Sequence, residues 1–178
     1  MNGWWRRNAV ALAALVVLVP TTVFVIGGNE WQDYFLYRST VPIDANADGT
    51  VELDDTTWGP ARSAELDDTS AYTVPAGVRV IVVAVAVDPH GEPPGCLSPQ
   101  LVEQSTGRQW NEMRSELGIP YSSEESSSCI VATDDEPVID PYELILAFGV
   151  PDDAEGPFWV EVSPTDAIPY LARFSIDP

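Results

Sequence analysis

One apolar run near the N-terminus constrains this chain more than any other feature. Residues 9–26 contain no charged side chain. At about 1.5 Å of rise per residue, such a run makes a helix of roughly 27 Å, close to the ~30 Å hydrocarbon core of a bilayer. We therefore predict a transmembrane helix at residues 8–27, with a short stub at residues 1–7 before it.

The charges that flank this run predict its orientation. Arg6 and Arg7 precede it, and the first charged residues after it are Glu30 and Asp33. Because arginine beside a span is retained on the cytoplasmic side, we expect a cytoplasmic N-terminus and an extracellular C-terminal part, held at the cell membrane as a single-pass protein. The alternative is a cleaved secretory signal with residues 9–19 as its apolar core, which also places the rest outside.

The charge of the C-terminal part excludes one class of partner. All 28 acidic residues and six of the eight arginines follow residue 28, there is no lysine, and the net charge of this part is therefore 6 − 28, or −22. Such a domain repels phosphate backbones, so we expect no nucleic acid partner. It also repels anionic headgroups, so we expect contact with the lipid bilayer through the N-terminal helix only.

The remainder of the chain has the pattern of β-structure. Residues 78–88 are apolar on both alternating faces, which predicts a central strand buried on both sides. Shorter alternating runs occur at residues 142–150, 158–162 and 171–176. We predict a mainly β protein in which the transmembrane helix is followed by an antiparallel β-sandwich at residues 50–178, after a juxtamembrane linker at residues 28–49.

Turn signals place the connections. Asp54-Asp55 is expected to turn a hairpin whose second half contains Pro60, and residues 105–107 are expected to turn a second one. A short helix is expected to end at Gly118. Residues 121–128 are polar low-complexity sequence typical of a loop.

The chain has two cysteines, Cys96 and Cys129, both in the predicted extracellular part. In an oxidising compartment an isolated pair of this kind indicates one disulfide. A catalytic or metal-binding thiol is a less favoured interpretation, because no cluster of further ligands accompanies either cysteine.

The order of several short motifs resembles a known group of domains. These motifs are V-P-A-G at 74–77, D-P at 88–89, T-G-R-Q-W at 106–110, P-Y-E-L at 141–144 and F-G-V-P at 148–151. Over about residues 50–176 the layout is similar to the immunoglobulin-like extracellular domains of unknown function that follow a single span or lipid anchor in Gram-positive bacteria. The whole chain looks like a small single-pass membrane protein of actinobacteria. The resemblance implies a binding or protein-contact module at the cell envelope, and it carries over no catalytic residue.

One segment has the spacing of a calcium loop. In residues 44–55 the oxygen-bearing positions are Asp44, Asn46, Asp48, Thr50 (through its backbone carbonyl) and Asp55, with Gly49 at the sharp turn. Hard oxygen ligands at alternate positions suit Ca²⁺, and the spacing is similar to that of EF-hand and dockerin loops. Proline lies close to both ends and leaves little room for flanking helices, so a turn-rich linker without metal is the other interpretation.

Other chemical groupings are sparse. His90 is the only histidine and lies in a Gly/Pro-rich loop, which argues against a catalytic triad and excludes a site with several histidines. Trp58, Trp110 and Trp159 could line a carbohydrate platform, although aromatic residues in sandwich strands more often belong to the core. We therefore predict a membrane-anchored extracellular, non-enzymatic binding or interaction module whose partner is another envelope protein or a wall component. The alternative function is a calcium-binding or calcium-stabilised surface module, and calcium is the one cofactor considered.

Overall fold

The computed structural model describes residues 3–36, 38–120, 129, 132–133, 136–137 and 140–178. The chain divides into two compact units, one ending at Arg38 and the other running from Ser39 to Pro178. Each unit is described by itself below.

The N-terminal unit is one helix, α1, which runs from Gly3 to Leu36. Its part from Gly3 to Gly28 is long and apolar enough to cross a membrane. This confirms an apolar N-terminal helix at the position predicted from residues 8–27. Pro20 lies inside the helix, as is tolerated in membrane-spanning segments.

The C-terminal unit consists mainly of β-strands. The strands are β1 (Val41–Asp44), β2 (Val51–Leu53), β3 (Thr56–Glu65), β4 (Val78–Pro89), β5 (Cys96–Glu103), β6 (Gln109–Asn111), β7 (Ala132–Thr133), β8 (Glu136–Pro137), β9 (Tyr142–Pro151), β10 (Phe158–Pro164) and β11 (Tyr170–Ile176). A short helix, α2, spans Arg114–Leu117 and ends at Gly118, whose φ of 71° is left-handed. The predicted strands and the predicted short helix are therefore present, and the predicted loop at residues 121–128 lies outside the described residues.

Two main sheets form the sandwich. The five-stranded sheet has the order β1-β11-β10-β5-β6, the four-stranded sheet has the order β2-β3-β4-β9, and β7 and β8 form a separate two-stranded pair. Antiparallel pairing was predicted throughout, and β1 departs from it by pairing in parallel with β11. The prediction of a mainly β, sandwich-like domain after an apolar helix is confirmed.

The core lies between the two sheets. Its largest fully buried side chains are Trp58, Phe148, Phe158 and Phe174. On β4 the inward-facing valines are completely buried, but its other face is covered only in part. There Val80 is buried in a second cluster beneath α2, whereas residues 82, 84 and 86 are partly exposed. The expectation that β4 is buried on both sides thus holds for only part of its length.

The folded domain begins earlier than residue 50. Strand β1 was expected to be part of a linker at residues 28–49, but it pairs with Tyr170–Arg173 at the other end of the chain. Its partner is remote in sequence and its second residue is Pro42, so neither alternation nor a local hairpin signal identifies it as a strand.

The predicted turn at Asp54-Asp55 is present. Both residues have positive φ, 56° and 49°, which is the conformation of a two-residue hairpin turn with the twist that antiparallel strands prefer. In the strand that follows, β3, the pairing register shifts between Trp58 and Ala61, the segment that contains Pro60.

Candidate functional site

The five-stranded sheet has an outward-facing surface that is built by strand alternation. In β10 the side chains of Phe158, Val160 and Val162 are buried in the core. The intervening residues, Trp159 and Glu161, therefore face outward, since successive side chains of a strand point to opposite sides. Both are partly exposed.

Register places the neighbours of these two residues. Trp159 pairs with Ser175 on β11 and with Val102 on β5, and Glu161 pairs with Arg173 and Gln100 in the same way. Together with the adjacent edge strands they form what we call the outer sheet face. Its members are Asp44, Leu97, Gln100, Val102, Gln109, Asn111, Trp159, Glu161, Ser163, Arg173 and Ser175.

An aromatic–cation stack is the main feature of the outer sheet face. The guanidinium carbon of Arg173 lies 4.6 Å from the centroid of the Trp159 ring. Arg173 is held in turn by Asp44, because its Nε donates to Oδ1 at 2.7 Å. Asp44 therefore holds the guanidinium over the indole, and part of the indole surface remains exposed.

Polar groups surround this stack. Burial raises the pKa of the Glu161 carboxyl, and the charge of Arg173 opposes that shift. The side-chain amide of Gln100 donates to Oδ1 of Asn111 at 3.1 Å. This hydrogen bond orients the two side-chain amides relative to each other. The surface can therefore offer an aromatic ring, a carboxyl group and two oriented amides to one ligand.

A second candidate site is a cleft of about 430 Å³, called the acidic cleft below. It is lined by Asp54, Asp55, His90, Gly91, Glu92, Pro93, Pro94 and Asp166. Burial raises the pKa of the Asp54 carboxyl, and the charge of Asp166 raises it further. Crowded carboxylates attract cations, but among the described residues no group of three or more His, Cys, Asp or Glu side chains could hold a metal ion.

The single histidine lies at the rim of the acidic cleft. Nε2 of His90 is 2.8 Å from the hydroxyl oxygen of Thr57, and that hydroxyl also lies 2.8 Å from Oε1 of Glu52. If the hydroxyl donates to Glu52 it must accept from His90, so the imidazole does not act as its base. Nδ1 of His90 is 4.0 Å from Asp88, too far for the hydrogen bond that orients a catalytic histidine.

Three of the residues predicted to bind calcium, Asp44, Asn46 and Thr50, have hydrogen-bond partners within the protein. Oδ1 of Asn46 accepts hydrogen bonds from the backbone N–H groups of Asp48, at 2.8 Å, and Thr50, at 3.1 Å. Asp44 is paired with Arg173, and Asp55 lies in the β2–β3 turn. The segment thus forms a turn closed by Asn46.

The predicted disulfide is present. Cys96 and Cys129 are bonded, with their Cα atoms 5.5 Å apart. Cys129 is buried, and its carbonyl oxygen accepts a hydrogen bond of 2.7 Å from the Tyr142 hydroxyl. The bond therefore attaches residue 129 to the start of β5 and to the core.

The three candidate platform tryptophans have different positions. Trp58 is fully buried and donates its indole N–H to the carbonyl of Leu53 at 3.1 Å. Trp110 packs against the core, edge-on to Phe158. Only Trp159 lies on the outer sheet face. Sequence reasoning did not single out Arg173 and Gln100, although the alternation of β10 and β11 indicates that Trp159 and Arg173 point away from the core.

Comparison with protein families, with curated proteins and with solved structures finds no match for this chain. Its functional assignment therefore depends on the surfaces described above.

Proposed function

We propose that this protein is a single-pass, membrane-anchored, non-enzymatic binding module of the bacterial cell envelope. Its β-sandwich is displayed on the extracellular side and binds another envelope protein or a wall component through the outer sheet face. The anchor is the apolar part of α1, and Arg6 and Arg7 at its start support a cytoplasmic N-terminus.

The Trp159–Arg173 stack is the observation that carries this proposal. Tryptophan and arginine are the side chains most enriched among residues that dominate binding energy at interfaces. Here the two are in contact, fixed by Asp44, and partly exposed at the middle of a sheet face. Their geometry is set before any ligand arrives, which reduces the entropy lost on binding.

The strand order supports an immunoglobulin-like domain. Strands β3, β4 and β9 lie together in one sheet, and β5, β6, β10 and β11 lie together in the other. This is the division that immunoglobulin sandwiches make between strands A, B and E and strands C, C′, F and G. The disulfide differs, because it starts on β5 and does not join the counterparts of strands B and F.

The arrangement around His90 supports a non-enzymatic role. The groups nearest to the imidazole, Thr57, Glu52 and Asp88, are side chains on the open surface, and His90 itself is 51% exposed. General acid–base chemistry of this kind operates best in a site that excludes water.

Co-sedimentation tests the proposal. The full-length protein in phospholipid nanodiscs is mixed with isolated Gram-positive envelope fragments, and the bound fraction is measured after centrifugation. We expect the wild-type protein to sediment with the fragments and Trp159→Ala to lose most of this binding.

A matched control lies on the opposite sheet. Arg62 also forms a surface ion pair, at 2.6 Å from Glu143, and its side chain is 71% exposed. Arg62→Ala is therefore expected to sediment like the wild-type protein. Equal binding by Trp159→Ala and Arg62→Ala would show that the outer sheet face is not the binding surface.

A further inference from the structure

We infer that the outer sheet face binds an uncharged glycan, a chain of sugar rings with free hydroxyl groups. This inference depends on the proposed function and specifies the ligand class for the same surface. It is argued from the local charge, the chemistry of the side chains and the shape of the surface.

Local charge distinguishes this surface from the rest of the domain. The charged members of the outer sheet face are Asp44, Glu161 and Arg173, a net charge of 1 − 2, or −1, whereas the chain after residue 28 has 6 − 28, or −22. Asp44 and Arg173 neutralise each other at 2.7 Å, which leaves Glu161 as the remaining charge among these three residues. A nearly neutral surface on a strongly acidic domain suits an uncharged ligand, and the surrounding field repels anionic wall polymers.

The side chains have the chemistry that sugars require. Amide groups donate to and accept from neighbouring hydroxyls, and a carboxylate accepts from them. Gln100, Asn111 and Glu161 provide such groups on adjacent strands, and Gln109 and Ser175 are exposed beside them. The part of the Trp159 ring that Arg173 leaves uncovered provides an apolar surface against which a sugar ring can pack.

The surface is broad and most of its side chains are polar. Five strands at about 4.8 Å spacing give a width of roughly 19 Å, enough for several sugar rings in a row. The centre of a protein–protein interface is usually strongly apolar. Here Val102 is only 8% exposed. Leu97, opposite Ser163, is 40% exposed, but it lies four positions along β10 from Trp159 with Glu161 between them, so the two apolar side chains do not form one patch. A protein partner is therefore disfavoured relative to a glycan.

Isothermal titration of defined oligosaccharides tests the inference. The full-length protein is reconstituted in phospholipid nanodiscs, because sugar-headed detergents would compete. The probes are four neutral hexasaccharides, of β-1,4-glucose, α-1,4-glucose, β-1,4-mannose and β-1,4-N-acetylglucosamine, with a hexamer of galacturonic acid as the anionic comparison. We expect saturable binding of at least one neutral probe and none of the anionic one.

Variants locate the binding. Trp159→Ala is expected to lower the association constant at least about tenfold, as for a central aromatic contact. Gln100→Ala is expected to lower it by about two- to tenfold, which corresponds to one hydrogen bond. Arg62→Ala is expected to leave it unchanged. If removing the indole disturbs the sheet, the effect of Gln100→Ala on the association constant still tests whether the outer sheet face binds the glycan.

The outcomes separate this inference from the proposed function. Failure of the wild-type protein to bind any neutral hexasaccharide at millimolar concentration would overturn the glycan inference. Binding that is insensitive to both Trp159→Ala and Gln100→Ala would do the same. If Trp159-dependent sedimentation with envelope fragments then persists but is abolished by treating the fragments with protease, the partner is a protein and the proposed function stands without this inference.

Discussion

The Glu103 carboxylate, although only 2% exposed, is surrounded by hydrogen-bond donors of which Arg108 is the principal one. Nε of Arg108 donates to Oε2 at 2.8 Å, and the backbone N–H of Glu155 donates to Oε1 at 2.7 Å. The hydroxyl of Thr106 contributes a further hydrogen bond. This network closes the β5–β6 hairpin and fastens it to the turn before β10.

The network predicts a dependence of stability on pH. Hydrogen bonds, first those from Arg108, lower the pKa of Glu103 from 4.5 to about 2. Because the folded-state pKa is the lower one, the ionised carboxylate favours folding. Its contribution is complete above pH 4.5 and is lost as the pH falls to about 2. Melting curves of the wild-type protein and Glu103→Gln should therefore differ most at pH 6 and converge near pH 2.

An exposed ion pair provides the control for this experiment. Glu143 also accepts from an arginine, Arg62, but 45% of its side chain is exposed. Glu143→Gln should change the melting temperature little at any pH, because exposed pairs contribute about 0–1 kcal/mol. A difference between wild type and Glu103→Gln that stays constant from pH 6 to pH 2 would contradict the role assigned to the carboxylate.

Gly59 is predicted to be intolerant of substitution. Its φ is +92°, and an added Cβ would overlap the carbonyl oxygen of Gly49 and lie 2.7 Å from Cε1 of Phe174. Gly59→Ala should destabilise the fold by about 2–4 kcal/mol, measured by urea unfolding, since both the backbone and the packing oppose it. Gly107→Ala is the matched control, because φ is +74° there but nothing lies within 4 Å of the added carbon. It should cost only about 1 kcal/mol.

Calcium is predicted not to stabilise the segment at residues 44–55. Asn46 already satisfies two backbone N–H groups of the turn, and Asp44 is paired with Arg173. Asn46→Ala should therefore lower the free energy of unfolding by about 1–2 kcal/mol with or without millimolar calcium. Asp48→Ala separates the two interpretations. A calcium-dependent rise in the wild-type melting temperature that Asp48→Ala abolishes would establish a metal site and support the alternative function.

Much of the fold follows from local sequence signals. The apolar run was identifiable as a helix because an uncharged run of this length matches the thickness of a bilayer. Strand β4 was identifiable because continuous β-branched residues disfavour a helix. The turn at Asp54-Asp55 was identifiable because short polar residues tolerate positive φ. Strand β1 was not, because its pairing with Tyr170–Arg173 joins the two ends of the domain and depends on tertiary structure alone.

The candidate site was less predictable than the fold. Trp159 was one of three tryptophans that the sequence offered equally as candidates for a carbohydrate platform. What distinguishes it is that Phe158 and Val160, on either side, are buried in the core and force it outward. Its contact with Arg173 depends on the register between β10 and β11, which no sequence pattern specifies before the sheet is assembled.

Orientation in the membrane provides the last prediction. Because Arg6 and Arg7 precede the apolar run and acidic residues follow it, an epitope placed after Pro178 should be detected by antibody on intact cells. Arg6→Glu combined with Arg7→Glu removes the retention signal, so part of the population should become detectable only after permeabilisation. Arg38→Glu, on the other side of the run, is the matched control and should leave the wild-type orientation unchanged. Detection of the wild-type epitope only in permeabilised cells would reverse the proposed topology, and release of the domain into the medium would instead support the cleaved-signal alternative.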